Sequence, residues 1–394
     1  MEDTNMYYYS YFVELLKSAL NGTVPGNIPD DFDWNKLYKL AERHSVASTV
    51  YYGIMQLPKE RRPDNSVMQG FKKASQVALG MGLRQELELG NVMNVMASEG
   101  IGYIPLKGWH MKKLYPSPDM RYMCDVDILI DKNDRDKIPS VMKKCGFEFK
   151  ESGVKDDCYQ KDGVISVEIH RLLFEEISEY YGYFENYYSK AVEYEKDGGR
   201  SCERVFSKED FLIYMLAHMA KHYKGSGIGI RSVMDIYIYN KAYSDGLDWG
   251  YVERELGKIG LKGFLHSTLE LAEDMFGRES EDMFRRHQRM AMHILMTGMY
   301  GDRETLVRNS VAGKYNSKLS YVFHRVFLDS GSMKSGYPCL NRLPFLLPVF
   351  WGVRLVRIML FSRNNVKCEF SALRAMDNSE KECMAEIMKD SGLM

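Results

Sequence analysis

The chain has no Cys-x-x-Cys pair. Its seven cysteines stand apart at 124, 145, 158, 202, 339, 368 and 383, an odd number at irregular spacing. That argues against a disulfide framework or a structural zinc site, and a cytoplasmic location is expected. Surplus charge is missing too: 53 Lys and Arg face 54 Asp and Glu, so nothing draws the whole molecule toward nucleic acid or an anionic membrane. No basic-then-apolar leader follows Met1-Glu2-Asp3. Only one apolar stretch, 343–361, approaches membrane-spanning length, and Pro344, Pro348, Arg354 and Arg357 interrupt it. A transmembrane helix is therefore not expected. Packing against the catalytic domain, a dimer contact and a peripheral membrane contact along 345–361 stay open. There is no internal repeat and no low-complexity tract.

What is present suits a large buried core: 394 residues, 45% hydrophobic and 27% charged. Residues 6–56 read as helices, with Trp34, Leu37, Leu40 and Ala41 at helical spacing and Asp33 as N-cap. A loop over 58–63 precedes a long helical pattern over 67–99, in which Gly80 and Gly82 are expected to weaken or kink the helix. The character then changes. Residues 101–106 read as a buried strand, 109–114 as a helix, 125–130 as a strand, 134–145 as a helix and 147–150 as a strand. Asp162-Gly163 lies between 159–161 and 164–170, a strong hairpin signal. From 207 onward helices resume. The glycines at 225, 227 and 229 read as a flexible turn between two of them, since they follow no strand as a dinucleotide loop would. Residues 309–338 show weak periodicity. The fold class is α+β: a small mixed sheet flanked by N-terminal and C-terminal helical regions. The expected division is a helical region 1–95, an α/β core 96–200, a helical domain 201–300 lining the cleft, and a mostly helical region 301–394 with a disordered tail.

Alternation on strands carries the chemistry. In Asp125-Val126-Asp127-Ile128-Leu129-Ile130, Asp125 and Asp127 share one face, about 7 Å apart by strand rise, while Val126, Ile128 and Ile130 point to the core. Exposed Asp-x-Asp pairs are common on ordinary edge strands, so the pair gains weight only from a third group. The strand 164–170 offers one. Its apolar face is Ile165, Val167 and Ile169, which leaves Ser166, Glu168 and His170 on the other. Beside the aspartates, Glu168 completes a carboxylate trio that only a cation would relieve. Alone, it is one more charge on a solvated hairpin face. His170 shares its face and is placed to support the acidic groups.

Leu106-Lys107-Gly108, Tyr115-Pro116, Arg121, the Asp125–Asp127 pair and Glu168-Ile169-His170 resemble an uncharacterised bacterial nucleotidyltransferase family. That family lies within the polymerase-beta-like superfamily, which includes kanamycin nucleotidyltransferase and the minimal nucleotidyltransferases. The likeness extends to Trp34 and 41–44, to 218–222 with Asp235, and to 343–348. It implies that Asp125, Asp127 and Glu168 bind magnesium (or manganese) and carry catalysis, Glu168 completing the site or acting as base. It also implies transfer of a nucleoside monophosphate from a nucleoside triphosphate to a hydroxyl of a small molecule, sugar or protein. Where the superfamily usually has Gly-Ser in its phosphate turn, this chain has Lys107-Gly108, a point charge and a close backbone approach. Arg121 is placed either to contact phosphate or to orient an aspartate through a surface ion pair. His218, Lys221 and His222 lie within one helical turn and are expected to meet the nucleotide or acceptor; no Glu follows His218 as in zinc hydrolases. Arg231 and Asp235, one turn apart, read as a pair. Two rival functions share the Asp-x-Asp signal: a metal-dependent glycosyltransferase using a nucleotide-sugar, which needs a preceding Rossmann-like run where 1–99 reads helical, and a non-catalytic nucleotide-binding protein.

Overall fold

A period of two in 125–130 and 165–170 and a period near 3.6 in 65–98 bury their apolar stripes against each other, and this contact organises the centre of the molecule. The computed structural model describes residues 2–29, 32–194, 202–278, 284, 286–299, 301, 303–311, 315, 317–361, 363–376 and 378–394. The chain divides into two compact units, one of residues 1–217 and 230–286, the other of 218–229 and 287–394.

The first unit opens with helices α1 (Glu2–Asn21), α2 (Trp34–Arg43), α3 (Ala47–Gln56) and α4 (Asn65–Ser98). Asp33 caps α2 by accepting the Lys36 amide, and Leu37, Leu40 and Ala41 are buried. Asp64 caps α4, which runs unbroken past Gly80 and Gly82 because buried residues before and after them (Phe71, Ala78, Gln85, Leu89) hold it down. Next come β1 (Tyr103–Pro105), α5 (Lys107–Met111), β2 (Asp125–Ile130), α6 (Ile138–Lys144), β3 (Glu148–Ser152), β4 (Asp156–Lys161) and β5 (Ile165–His170). The expected helix over 134–145 is split: 132–137 forms a 3-10 turn, and α6 begins with Pro139 in its first turn, where a missing amide costs nothing. The expected helix at 109–114 starts earlier, at Lys107.

The strands form a mixed sheet in the order β1-β2-β5-β4-β3. Only the β2–β5 pair is parallel; its neighbours run antiparallel. The β4–β5 hairpin turns at Asp162 and Gly163, both left-handed (φ 54° and 67°), and the Val164 amide returns to the Lys161 carbonyl at 3.1 Å. One sheet face is the core: Val126, Ile128 and Ile130 of β2 with Ile165, Val167 and Ile169 of β5 pack beneath Leu89, Val92, Met93 and Met96 of α4 and Val141 and Met142 of α6. The other face carries the polar residues.

After a short helix, α7 (Tyr181–Phe184), and the small ribbon of β6 (Val192–Glu193) and β7 (Arg204–Val205), helix α8 (Lys208–Lys224) leads out of the first unit. Helices α9 (Ile230–Tyr243), α10 (Trp249–Lys258) and α11 (Lys262–Phe276) complete that unit.

The second unit holds α12 (Gln288–Thr297), α13 (Arg303–Asn309), α14 (Lys318–Val326), α15 (Ser330–Gly336), α16 (Leu347–Phe361), α17 (Arg363–Ala375) and α18 (Asn378–Asp390). The C-terminal tail, expected to be disordered, is helical because its sparse apolar residues are well spaced: Ala372, Leu373 and Met376 join Val307, Val311 and Tyr321 in a core, and Met384, Ile387 and Met388 are buried on α18. The glycine turn is tight where flexibility was expected. Gly227 has φ +95°, and a Cβ there would lie 2.1 Å from Thr297 Cγ2. No helix among the described residues is long and apolar enough to cross a membrane.

Candidate active site

Parallel pairing sets the site. Residues of β2 and β5 lie side by side in the register Asp125–Ser166, Asp127–Glu168 and Leu129–His170. Since Val126 and Val167 face the core, Asp127 and Glu168 must emerge together on the opposite face. Both are half-buried, and Asp125 lies one alternation further along β2, at its exposed end. The register places Glu168 beside Asp127, and Ser166 beside Asp125.

His170 closes the group from the end of β5. The residue is 4% exposed. Nε2 donates to Asp127 Oδ1 at 2.9 Å and lies 3.4 Å from Glu168 Oε2. On its far side Nδ1 is 3.6 Å from Asp156 Oδ2 and 3.4 Å from Lys155 Nζ, and Lys155 pairs with Asp156 at 2.9 Å. Asp127, Glu168 and His170 each present one donor atom, all within 4.8 Å of one another. Two carboxylate oxygens so disposed, with an imidazole nitrogen once it has lost its proton, could hold a divalent cation.

The charges are sorted along the strand. Partial burial, then the like charges of Asp127 and Glu168, push the Asp125 carboxyl up to about 6. Burial pushes Asp127 the same way, yet the His170 hydrogen bond and charge, with the Lys155 and Lys107 charges, outweigh it and hold its carboxyl low. His170 is correspondingly raised: burial disfavours its cation, but the Asp127 and Glu168 hydrogen bonds favour it more. One carboxylate is thus kept ionised by its neighbours, while the next retains a proton into the range just below neutrality.

A family model described as an uncharacterised nucleotidyltransferase matches residues 30–277, well over half of the chain. The chain belongs to this nucleotidyltransferase family. No curated protein and no solved structure matches it. The match spans the N-terminal helices from α2, the whole sheet and the helices through α11, so the acidic face lies inside the nucleotidyltransferase region.

Within that region α5 brings Lys107 toward the acidic face. Burial and the Arg121 charge lower the Lys107 ammonium to about 8, against the opposing pull of Asp235 and Asp127. Gly108 packs closely: a Cβ there would sit 2.7 Å from Met123 Sδ and 3.3 Å from Arg121 Nη1. Arg121 corrects the sequence reading of a surface ion pair to an aspartate of the site. It is buried, and it holds Asp235 in a two-pronged pair, Nε to Oδ1 and Nη2 to Oδ2, each 2.8 Å. Tyr115 adds a third hydrogen bond to Asp235 Oδ1 at 2.8 Å. Arg231, read as the partner of Asp235, adds its charge to that carboxylate, while Arg121 donates to both Asp235 oxygens; Arg231 Nη1 donates to the Tyr122 carbonyl at 2.5 Å. A contact between residues 114 apart in sequence leaves no local signal, which is why a one-turn neighbour looked like the natural partner.

His218, Lys221 and His222 belong to the second unit. There the two imidazoles lie one helical turn apart, with ring centroids 4.5 Å from each other. Lys155 and Asp156 are the residues the sequence reading overlooked. A signal existed: counting back from the Asp162-Gly163 turn places Asp156 opposite His170.

Proposed function

We propose that the protein is a metal-dependent nucleotidyltransferase of the polymerase-beta-like kind, moving a nucleoside monophosphate from a nucleoside triphosphate to an acceptor hydroxyl. The observation that carries this reading is the Asp127–Glu168 register, with His170 Nε2 2.9 Å from Asp127. Family membership supplies the reaction class. Asp125, Asp127 and Glu168 would hold magnesium or manganese, with His170 at the edge of the donor set. A divalent cation bound there supplies positive charge for the triphosphate and acidifies the acceptor hydroxyl.

The chain's own residues do the rest. The acceptor oxygen attacks the α-phosphorus, the bond from that phosphorus to the bridging oxygen breaks, and pyrophosphate departs with the electron pair. Glu168 takes the hydroxyl proton. Lys107 offers its charge to a phosphate oxygen, and Gly108 keeps the turn close to the Arg121 anchor. Arg121, engaged by Asp235, positions this turn rather than touching phosphate. The glycosyltransferase alternative is disfavoured by the order of elements: among the described residues of 2–98 the elements are helices, with no strand, where a Rossmann-like alternation of strands and helices would precede the Asp-x-Asp strand.

The test is transfer of α-labelled nucleotide to a panel of hydroxyl acceptors with magnesium or manganese. Asp125→Asn with Asp127→Asn is expected to abolish it. Transfer that survives this double substitution overturns the assignment, as does nucleotide binding without turnover on every acceptor.

A further inference from the structure

The second unit carries an apolar surface that the proposed chemistry does not use. On α16, Val349, Val353, Val356 and Leu360 are exposed, and at 100° per residue they fall within about 60° of arc. Phe345, just before the helix, is 72% exposed. Helix α14 adds a second stripe, Leu319, Phe323 and Phe327, also exposed. Trp351 lies on the side of α16 opposite that helix's own stripe, and there its ring packs 5.1 Å from that of Phe327. Trp351 Nε1 donates to the Leu328 carbonyl at 2.9 Å, and Arg354 Nη1 to the Arg325 carbonyl at 2.9 Å, so the two helices are fixed to each other.

Charge decides what such a surface suits. The whole chain is near neutral, yet residues 318–367 contain eight Lys and Arg against one acidic residue, Asp329. Arg357 flanks the α16 stripe, Arg354 lies further round the helix, and with Arg325 they line a cavity of about 450 Å³ that Ser332 and Tyr337 also border. Glu369 neutralises Arg325 at 3.0 Å. The Arg342 and Arg357 side chains are exposed and make no hydrogen bond or ion pair among the described residues. A helix with an apolar stripe, a cation on its flank and almost no acidic residue has the form of an element lying in a membrane interface. A second copy of this chain would bring the same positive surplus against itself.

We infer that the exposed stripe of α16, with Phe345 just before it, forms a docking surface for an anionic lipid bilayer, its apolar residues entering the headgroup boundary and Arg342 and Arg357 meeting lipid phosphate. Its residues belong to the second unit and include none of the acidic face.

Full-length protein is mixed with vesicles of phosphatidylcholine alone and of phosphatidylcholine with phosphatidylglycerol, and the bound fraction is read by co-sedimentation at low and high salt. Binding to the anionic vesicles that weakens with salt is expected. Arg342→Gln with Arg357→Gln should lower partitioning by about 25-fold, at roughly fivefold per basic residue at an anionic surface. Val353→Ser with Val356→Ser should lower it as well. All four substitutions are at exposed positions, and an unchanged far-UV circular dichroism spectrum verifies the fold of each variant. Wild-type protein that stays in the supernatant with anionic vesicles overturns the inference. So does a dimer in sedimentation velocity that Val353→Ser with Val356→Ser dissociates while vesicle binding is absent, which assigns the surface to a second copy.

Discussion

Removing the Arg121 guanidinium separates a positioning role from a phosphate-binding one. Its side chain is 4% exposed and that of Asp235 8%, and two 2.8 Å hydrogen bonds join them. Arg121→Met would leave a buried carboxylate with Tyr115 as its remaining hydrogen-bond donor among these three residues. Breaking one side of a buried pair costs about 3–5 kcal/mol, because the orphaned charge keeps its desolvation penalty. At roughly 2–4 °C per kcal/mol for a unit of this size, the melting temperature should fall by about 6–20 °C. Tyr115→Phe removes one hydrogen bond to a charged group, about 1.5–3 kcal/mol. The double variant Arg121→Met with Asp235→Leu removes both members of the pair and orphans neither, so it should be less destabilised than the sum of its singles, by a coupling of order 2 kcal/mol. Urea unfolding followed by circular dichroism measures all of these. The pH sign follows from Asp235, whose carboxyl Arg121 holds low against burial. Its contribution is present above the ordinary aspartate range and is lost as pH falls through the depressed folded value. Single variants within about 1 kcal/mol of wild type, or additive losses in the double variant, would refute the buried-pair argument. An Arg121→Met protein of full stability that no longer binds nucleoside triphosphate would return Arg121 to the phosphate site.

Three further outcomes are expected. Cation affinity, measured by manganese titration with electron paramagnetic resonance, should rise from pH 5 to pH 7, because the Asp125 carboxyl, raised to about 6, must lose its proton to become a ligand. In the metal-free protein the sign is opposite: Asp125 contributes most to stability below its ordinary range near 3.8, and that contribution is lost as pH rises through about 6. Affinity independent of pH over this window would contradict both statements. His170→Asn should lower kcat by about 10–100-fold with little change in KM for nucleotide, since it releases Asp127 without touching the triphosphate; an unchanged kcat would remove His170 from the site. Gly163→Val places a β-branched residue at φ 67° and should cost about 1–2 kcal/mol in urea unfolding, or more if the hairpin register shifts; no loss would mean that the turn relaxes to another form.

Local pattern made the strands readable. Ile165, Val167 and Ile169 left no choice of face for Glu168, and Asp162-Gly163 announced its own turn. The bounds of β2 came out as read, 125–130, because polar and apolar residues change over sharply at both ends. What could not be read was pairing across distance. The β3–β4 segment sits in sequence between β2 and β5, yet β2 and β5 are neighbours in the sheet, so the meeting of Asp127 with Glu168 depended on a strand order that alternation does not encode. Arg121 with Asp235, and Ser48, Tyr52 and Ser75 converging on buried Asp119, are of the same kind: polar residues whose partners lie far along the chain. The C-terminal helices failed for another reason. Their apolar residues are few, and a polar helix is readable only once the core that receives it is known.

The surroundings of Asp127 argue that the acidic face serves chemistry more than stability. A fold gains little from half-buried carboxylates side by side, since each like charge raises the cost of its neighbour. Here Asp125 bears that cost in a raised pKa, while His170, Lys155 and Lys107 hold Asp127 ionised. A purely structural cluster would be relieved by leaving both carboxyls protonated or by replacing Glu168 with an apolar residue of similar volume. One carboxylate held ionised beside a second that yields its proton near pH 6 would be a ligand set able to exchange protons for a cation, as the proposed function requires. The Asp-x-Asp pair becomes specific through His170, because an ordinary edge strand has no reason to bury an imidazole against its own acidic face.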